Sequence, residues 1–224
     1  MSERKNFFDF PHKAFRYMWM DVVAAIGATN PSLDTSLAAM EAKVTFACDA
    51  YAHHNKDESE WMGPRLQELD ASLAKHWLAD HDSHLGTMDE LQSRVRAIRS
   101  TPDVDERARA LGELYRFVCR FLAEDLVHMQ LEQEPIMAAF QKAYSDDQLQ
   151  SMETQFIQER INPALMKSLA PLFLKSGNVD DRTRLLSVIK RQVPAPAFEE
   201  LLGGLVAGLV GPEELAQLRN RLAA

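Results

Sequence analysis

Residues 71–100 read ASLAKHWLADHDSHLGTMDELQSRVRAIRS, and they set the fold class. Leu78, Leu85, Met88, Leu91 and Val95 recur at steps of three, four and seven, the period of a helix with one buried face. Thr101-Pro102 ends the run, because the residue before a proline is pushed out of helical backbone angles. The same period extends to both sides. His12 to Ile26 predicts a helix with Phe15, Met18, Trp19 and Val22 inward, stopped near Gly27 and Asn30-Pro31. A second is predicted from about Ser32–Asp34 to Leu69, with Leu37, Met40, Val44, Ala47 and Tyr51 inward and a bend near Gly63-Pro64. A fourth follows Asp103 and runs to about Tyr144, kinked or broken by Pro135. No stretch alternates Val, Ile and Thr as a strand does. Four long helices on short links predict an all-α fold with a four-helix bundle over residues 1–144.

Ser145-Asp146-Asp147-Gln148 reads as a capping box that starts a new segment. Residues 145–224 are then a C-terminal helical extension of about four shorter helices. Its breakers are Asn162-Pro163, Gly177-Asn178, Pro194-Ala195-Pro196 and Gly211-Pro212. Phe198, Leu201, Leu202, Leu205, Val206 and Leu209 give one of these helices a broad apolar face, expected to dock on the bundle.

With 46% hydrophobic and 26% charged residues, the chain has the composition of a folded globular protein. Its formal charge of -8 has the wrong sign for nucleic acid or anionic lipid, so neither is an expected partner. Met1-Ser2-Glu3-Arg4-Lys5-Asn6 mixes charges and leads to Asp9 and Pro11 before any long apolar run, unlike a secretion signal, so the expected location is the cytoplasm. Leu201 to Val210, the longest apolar run, is interrupted by three glycines and is half the ~20 residues of a membrane-spanning helix. Cys48 and Cys119 form no Cys-x-x-Cys pair and are expected to be buried, reduced thiols.

The chemistry concentrates in the histidines. All seven, at 12, 53, 54, 76, 81, 84 and 128, precede residue 129. His54 and Glu58 stand four apart, on one face of a helix and one turn separated. His128 and Glu132 repeat that spacing on the fourth helix, His81 and His84 share a face of the third, and His12 opens the first. One His-x-x-x-Glu pair is common on a solvated helix. Two pairs with separate histidines on two further helices point to a metal site. Imidazole with carboxylate favours a pair of iron ions, the carboxylates being able to bridge. His53 and Asp57 compete with His54 and Glu58, but glutamate reaches farther, leaving His53 as a supporting or exposed residue; His76 is expected to face solvent. Trp61, Trp77, Phe117, Phe121 and Met129 are expected to pack the core.

The segments Phe10-Pro11-His12, Ala52-His53-His54-Asn55-Lys56-Asp57-Glu58, Asp80-His81-Asp82-Ser83-His84-Leu85 and Val127-His128-Met129-Gln130-Leu131-Glu132 resemble, in order and spacing, the hemerythrin-like (HHE cation-binding) family over residues 6–142. The resemblance implies an up-and-down bundle in which His12, His54, Glu58, His81, His128 and Glu132 hold two irons, with Glu58 and Glu132 bridging. The family's oxygen carriers place two histidines four apart on the third helix and end on an aspartate. Here Trp77 stands four residues before His81, His84 follows at a three-residue step as a further candidate ligand, and the last carboxylate is Glu132. These departures look more like the family's sensing, iron-handling or stress-linked members. The expected small partner is therefore a diatomic ligand or peroxide. An oxidase or peroxidase on the same centre is a second reading. The third is a regulatory protein whose metal stabilises the bundle and whose C-terminal helices meet a protein partner or a second copy.

Overall fold

A computed structural model of the chain describes residues 4–160 and 163–223, the side chains of 163–165 excepted; the break expected at Asn162 lies outside the described residues. Every regular element among the described residues is helical. In chain order they are α1 (Asp9–Ala28), α2 (Asp34–Trp61), α3 (Gly63–Leu69), α4 (Ala71–Ser100) and α5 (Val104–Leu131), then a π-type turn (Glu132–Ile136) and α6 (Met137–Ala143). They continue as α7 (Asp146–Arg160), α8 (Pro163–Ser176), α9 (Val179–Gln192), α10 (Ala195–Leu201), a second π-type turn (Leu202–Val206), α11 (Ala207–Leu209) and α12 (Pro212–Ala223). No helix among the described residues is long and apolar enough to cross a membrane.

Local chemistry explains the boundaries. The bend expected at Gly63-Pro64 is the α2–α3 junction, where Pro64 sits in a first helical turn that needs no N–H from it. Asp70 caps α4 by accepting from the Leu73 N–H at 2.9 Å, and Asp103 caps α5 through the Glu106 N–H at 2.8 Å. Asp70→Ala is expected to cost about 1 kcal/mol, the usual worth of an N-cap, and a urea-unfolding midpoint measures it. Pro135 does not break the fourth run. The proline has no N–H to offer Leu131, and the chain widens by one residue so that the Met137 N–H donates to the Glu132 carbonyl five residues back. The Ser145–Gln148 box is present, with reciprocal bonds of 2.9 and 3.3 Å.

Contacts divide the chain into two compact units. One comprises Met1–Phe8 and Met18–Arg160, the other Asp9–Tyr17 and Ile161–Ala224. In the first, the pairs Glu41–Arg99, Asp49–Gln92, Tyr51–His84 and Glu58–His81 run α4 antiparallel to α2. The pairs Trp77–Glu132, His81–His128 and Arg94–Phe117 run α5 antiparallel to α4. Three of these helices bury a seam in three- and four-residue steps: 37, 40, 44, 47 and 51 on α2, resuming at 58 after the half-buried His54, 74, 77, 81, 84, 88, 91, 95 and 98 on α4, and 111, 114, 118, 121, 125, 128 and 132 on α5 and the turn after it. On α4, Met88, Leu91 and Val95 are buried as expected, but the N-terminal half of the seam differs from the expected one. Leu78 and Leu85 are half-buried, and Ala74, Trp77, His81 and His84 take the seam. Phe8, Met62, Leu66, Ala74, Ile136, Met137, Phe140 and Leu149 close the end of the unit next to the metal-binding candidates. Cys48 is buried, its thiol pushed up to about 12 by burial; Cys119 is only half-buried.

The second unit has its own small core. Phe10 packs on Phe173 with ring centres 4.9 Å apart, Lys13 pairs with Asp181 at 2.7 Å, and Leu185, Leu186, Phe198, Leu202, Val206 and Leu218 are buried. Asn178 and Asp181 form the capping box that starts α9. The apolar face expected from Phe198 to Leu209 is narrower than its composition suggests: Phe198, Leu202 and Val206 are buried, whereas Leu205 is exposed.

Candidate metal centre

The seams of α2, α4 and α5 carry polar residues at one level, where an ordinary bundle would carry leucine. His81, His128 and Glu132 are buried there, and their ligand atoms form a triangle. His81 Nε2 lies 3.1 Å from His128 Nε2 and 3.3 Å from Glu132 Oε1, and His128 Nε2 lies 3.2 Å from the same Oε1. Two donors held ~2.1 Å from one metal at tetrahedral to octahedral angles stand roughly 2.9–3.4 Å apart. All three edges fall in that range, so the residues fit a metal ion.

The donor set continues from the triangle. Glu58 Oε2 lies 3.7 Å from His81 Nε2, and Glu58 Oε1 is 3.3 Å from His54 Nε2, one helical turn earlier. His54 and Glu58 are largely buried, with side-chain exposures of 13% and 5%. Glu58 Oε2 is buried without a hydrogen-bond partner. A buried lone pair without a donor is costly unless a cation takes it. Of the predicted ligands, His54, Glu58, His81, His84, His128 and Glu132 lie in the first unit. His12 is buried in the first turn of α1, on the stretch assigned to the second unit.

Neighbouring groups orient the donors. Ser59 Oγ is 2.7 Å from His81 Nδ1; with Nδ1–H donating to it, Nε2 turns its lone pair to the triangle. Trp77 Nε1–H donates to Glu132 Oε1 at 2.6 Å, and Trp77 also packs on the His81 ring at 4.6 Å. Ser59→Ala is expected to weaken metal binding about 10–100-fold without unfolding the chain, as read by competition with a chelator. His84 is buried 4.7 Å, ring to ring, from His128 but lies outside the triangle. Its Nδ1 sits 3.0 Å from Tyr51 Oη, and Tyr51 donates its hydroxyl proton to Asp125.

The electrostatics describe a pocket short of positive charge. Burial first, then the charges of Glu132 and Asp125, push the Glu58 carboxyl well above its usual range. Burial pulls His81 down, and burial together with His128 and His81 takes His84 to about 4. His128 goes the other way: burial lowers it, but the hydrogen bond and charge of Glu132 outweigh that. Imidazoles held toward the neutral form at His81 and His84, beside a carboxyl held toward its neutral form at Glu58, leave ligand atoms that a divalent cation can claim by displacing few protons from nitrogen.

The residues set aside in the sequence lie elsewhere. His53 pairs with Asp57 at 3.1 Å and is 39% exposed, while His76 is exposed and bonded to the Ser72 carbonyl. Trp61, Trp77, Phe121 and Met129 are buried, but Phe117 is half-buried under the Arg94 guanidinium. Tyr51, Ser59, Trp77 and Asp125 were not read from the sequence as site residues. Tyr51 and Trp77 look like core aromatics there, and the available signal is Asp125 falling on the same three–four seam as His128 and Glu132. Comparison of the chain with protein-family models, with curated proteins and with solved structures gives no match.

Proposed function

We propose that the first helices form an up-and-down four-helix bundle of the hemerythrin-like type that holds a carboxylate-bridged pair of iron ions. The centre binds or senses oxygen, peroxide or nitric oxide, or handles iron under stress. The observation that supports this best is the buried triangle of His81, His128 and Glu132, with edges of 3.1–3.3 Å and a second carboxylate, Glu58, 3.7 Å from His81. In this reading His81, His128 and Glu132 hold one ion, His54 and Glu58 extend the set toward the other, and the two glutamates are the bridging candidates. His12 is added from the sequence pattern alone.

Bound as a pair, ferrous iron supplies an open position for a small ligand and electrons to reduce it. The chain's own residues supply the rest. Ser59 fixes the direction of the His81 lone pair, and the Trp77 N–H holds Glu132 in place. The buried rings of Trp19, Tyr51 and Phe121 keep bulk water from the histidine side. Protein purified without added metal is expected to carry about two irons per chain, as di-iron bundles do. An anaerobic ferrous sample is expected to change its visible spectrum on meeting oxygen or nitric oxide. Zinc at one ion per chain, or a flat spectrum in iron-loaded protein, sinks the proposal.

A further inference from the structure

Tyr51 stands on the α2 seam one turn before His54. Its side chain is 1% exposed and boxed in by Trp19 and Phe121, with ring centres 5.6 Å away in both cases and near-perpendicular planes. Its hydroxyl donates to Asp125 Oδ1, and His84 Nδ1 lies 3.0 Å from the same phenolic oxygen. Asp125 is fully buried on α5, one turn before His128. A carboxylate in that position is costly, and apolar side chains would fill the space, so packing does not account for the phenol–carboxylate pair. Neither residue belongs to the metal-binding triangle. A phenol that loses an electron becomes a strong acid, so it oxidises readily only where a base already accepts its proton. Asp125 is that base, and the His84 N–H facing the phenolic oxygen stabilises the oxygen once the proton has gone.

We propose that Tyr51 is an internal one-electron donor to the metal centre, with Asp125 receiving its phenolic proton; this rests on the di-iron reading above. The oxidant is hydrogen peroxide, and the step begins from a half-oxidised centre with one ferrous ion left. The O–O bond of peroxide breaks and accepts two electrons, one from the ferrous ion and one from Tyr51. Two protons from solvent complete two waters, while the phenolic O–H of Tyr51 breaks and its proton forms an O–H bond on Asp125. The products are two waters, a ferric ion, the Tyr51 phenoxyl radical and protonated Asp125. The donor lets the centre finish a two-electron reduction when iron alone has a single electron to give, and the sealed ring pocket shields the radical from solvent.

The test uses the full chain loaded anaerobically with ferrous iron, assayed for iron, half-oxidised with limiting ferricyanide, mixed with hydrogen peroxide and frozen for electron paramagnetic resonance. The expected result is a narrow organic-radical signal whose hyperfine splitting collapses when the chain is grown on ring-deuterated tyrosine. The signal is lost in Tyr51→Phe at unchanged iron content, kept in Tyr144→Phe and diminished in Asp125→Asn. If iron is bound and oxidised but no radical forms, or the radical survives in Tyr51→Phe, the Tyr51 proposal is overturned while the di-iron reading stands. If no iron binds, the di-iron reading fails and takes this proposal with it. Should Tyr51→Phe not fold, the labelled wild type and Asp125→Asn decide, and an undiminished radical in Asp125→Asn overturns the assignment.

Discussion

Glu132→Ala is expected to lose its metal, with affinity falling by more than the ~100-fold typical of an outer-sphere partner, whereas His76→Ala is expected to bind as the wild type does. Glu132 Oε1 is the corner shared by both short carboxylate edges of the triangle, at 3.3 Å to His81 and 3.2 Å to His128. Its removal also strips the Trp77 N–H of its acceptor and removes the main group that holds His128 above its usual range. Of the two glutamates in the candidate set, the remaining imidazoles then keep only Glu58, 3.7 Å from His81 and outside the triangle. His76, by contrast, is exposed and bonded to its own helix. Titration with ferrous iron against a chelator measures both. Equal affinity in Glu132→Ala and wild type overturns the triangle as the binding site, because no rearrangement of two imidazoles replaces a shared carboxylate corner.

The sequence made the helices legible because their ends are written in breakers and caps: Thr101-Pro102, Asp103 and Ser145 act where the pattern puts them. The inner face of α4 was harder to read. Counting apolar residues places Met88, Leu91 and Val95 correctly but adds Leu78 and Leu85, where the buried seam instead runs through Trp77, His81 and His84. Polar residues that face one another across helices cost little once they have partners, and one-dimensional hydropathy does not register those partners. The same limit hid Ser59, which looks like a solvated helical serine until His81 is placed 2.7 Å away. Pro135 was legible as a disruption but not as a widened turn, because whether the chain breaks or bulges depends on the packing of Ile136, Met137 and Phe140. Glu132 opens that turn, so the last carboxylate of the motif sits where the helix is least regular.

Glu58→Gln is expected to stabilise the metal-free protein at neutral pH, to leave it unchanged in acid and to weaken the metal-loaded protein. Folding raises the Glu58 carboxyl well above the ordinary range, through burial and then through Glu132 and Asp125. The folded state therefore holds this proton more tightly than the unfolded chain. The associated stability is complete below the ordinary glutamate range and is lost as pH rises toward the folded value. His84, held down to about 4, works in the opposite sense: between that pH and the ordinary imidazole range of about 6.5 the unfolded chain binds more protons, and stability rises with pH. The wild-type profile mixes the two slopes, so the informative quantity is the difference between wild type and Glu58→Gln at each pH. Glutamine imitates the protonated acid, which makes that difference near zero in acid; it grows toward neutrality to about 1–3 kcal/mol, the usual cost of an unsatisfied buried polar group. For a chain of this size that is ~2–4 °C of melting temperature per kcal/mol. Iron reverses the order, because a cation gives the ionised carboxylate the partner that the apo pocket lacks, and glutamine carries no charge to offer it. Melting curves of apo and iron-loaded wild type and variant across the acid-to-neutral range measure all three expectations. A variant less stable than wild type without metal at neutral pH would show that Glu58 is already satisfied as an anion, and the pocket would then have no electrostatic need for a metal.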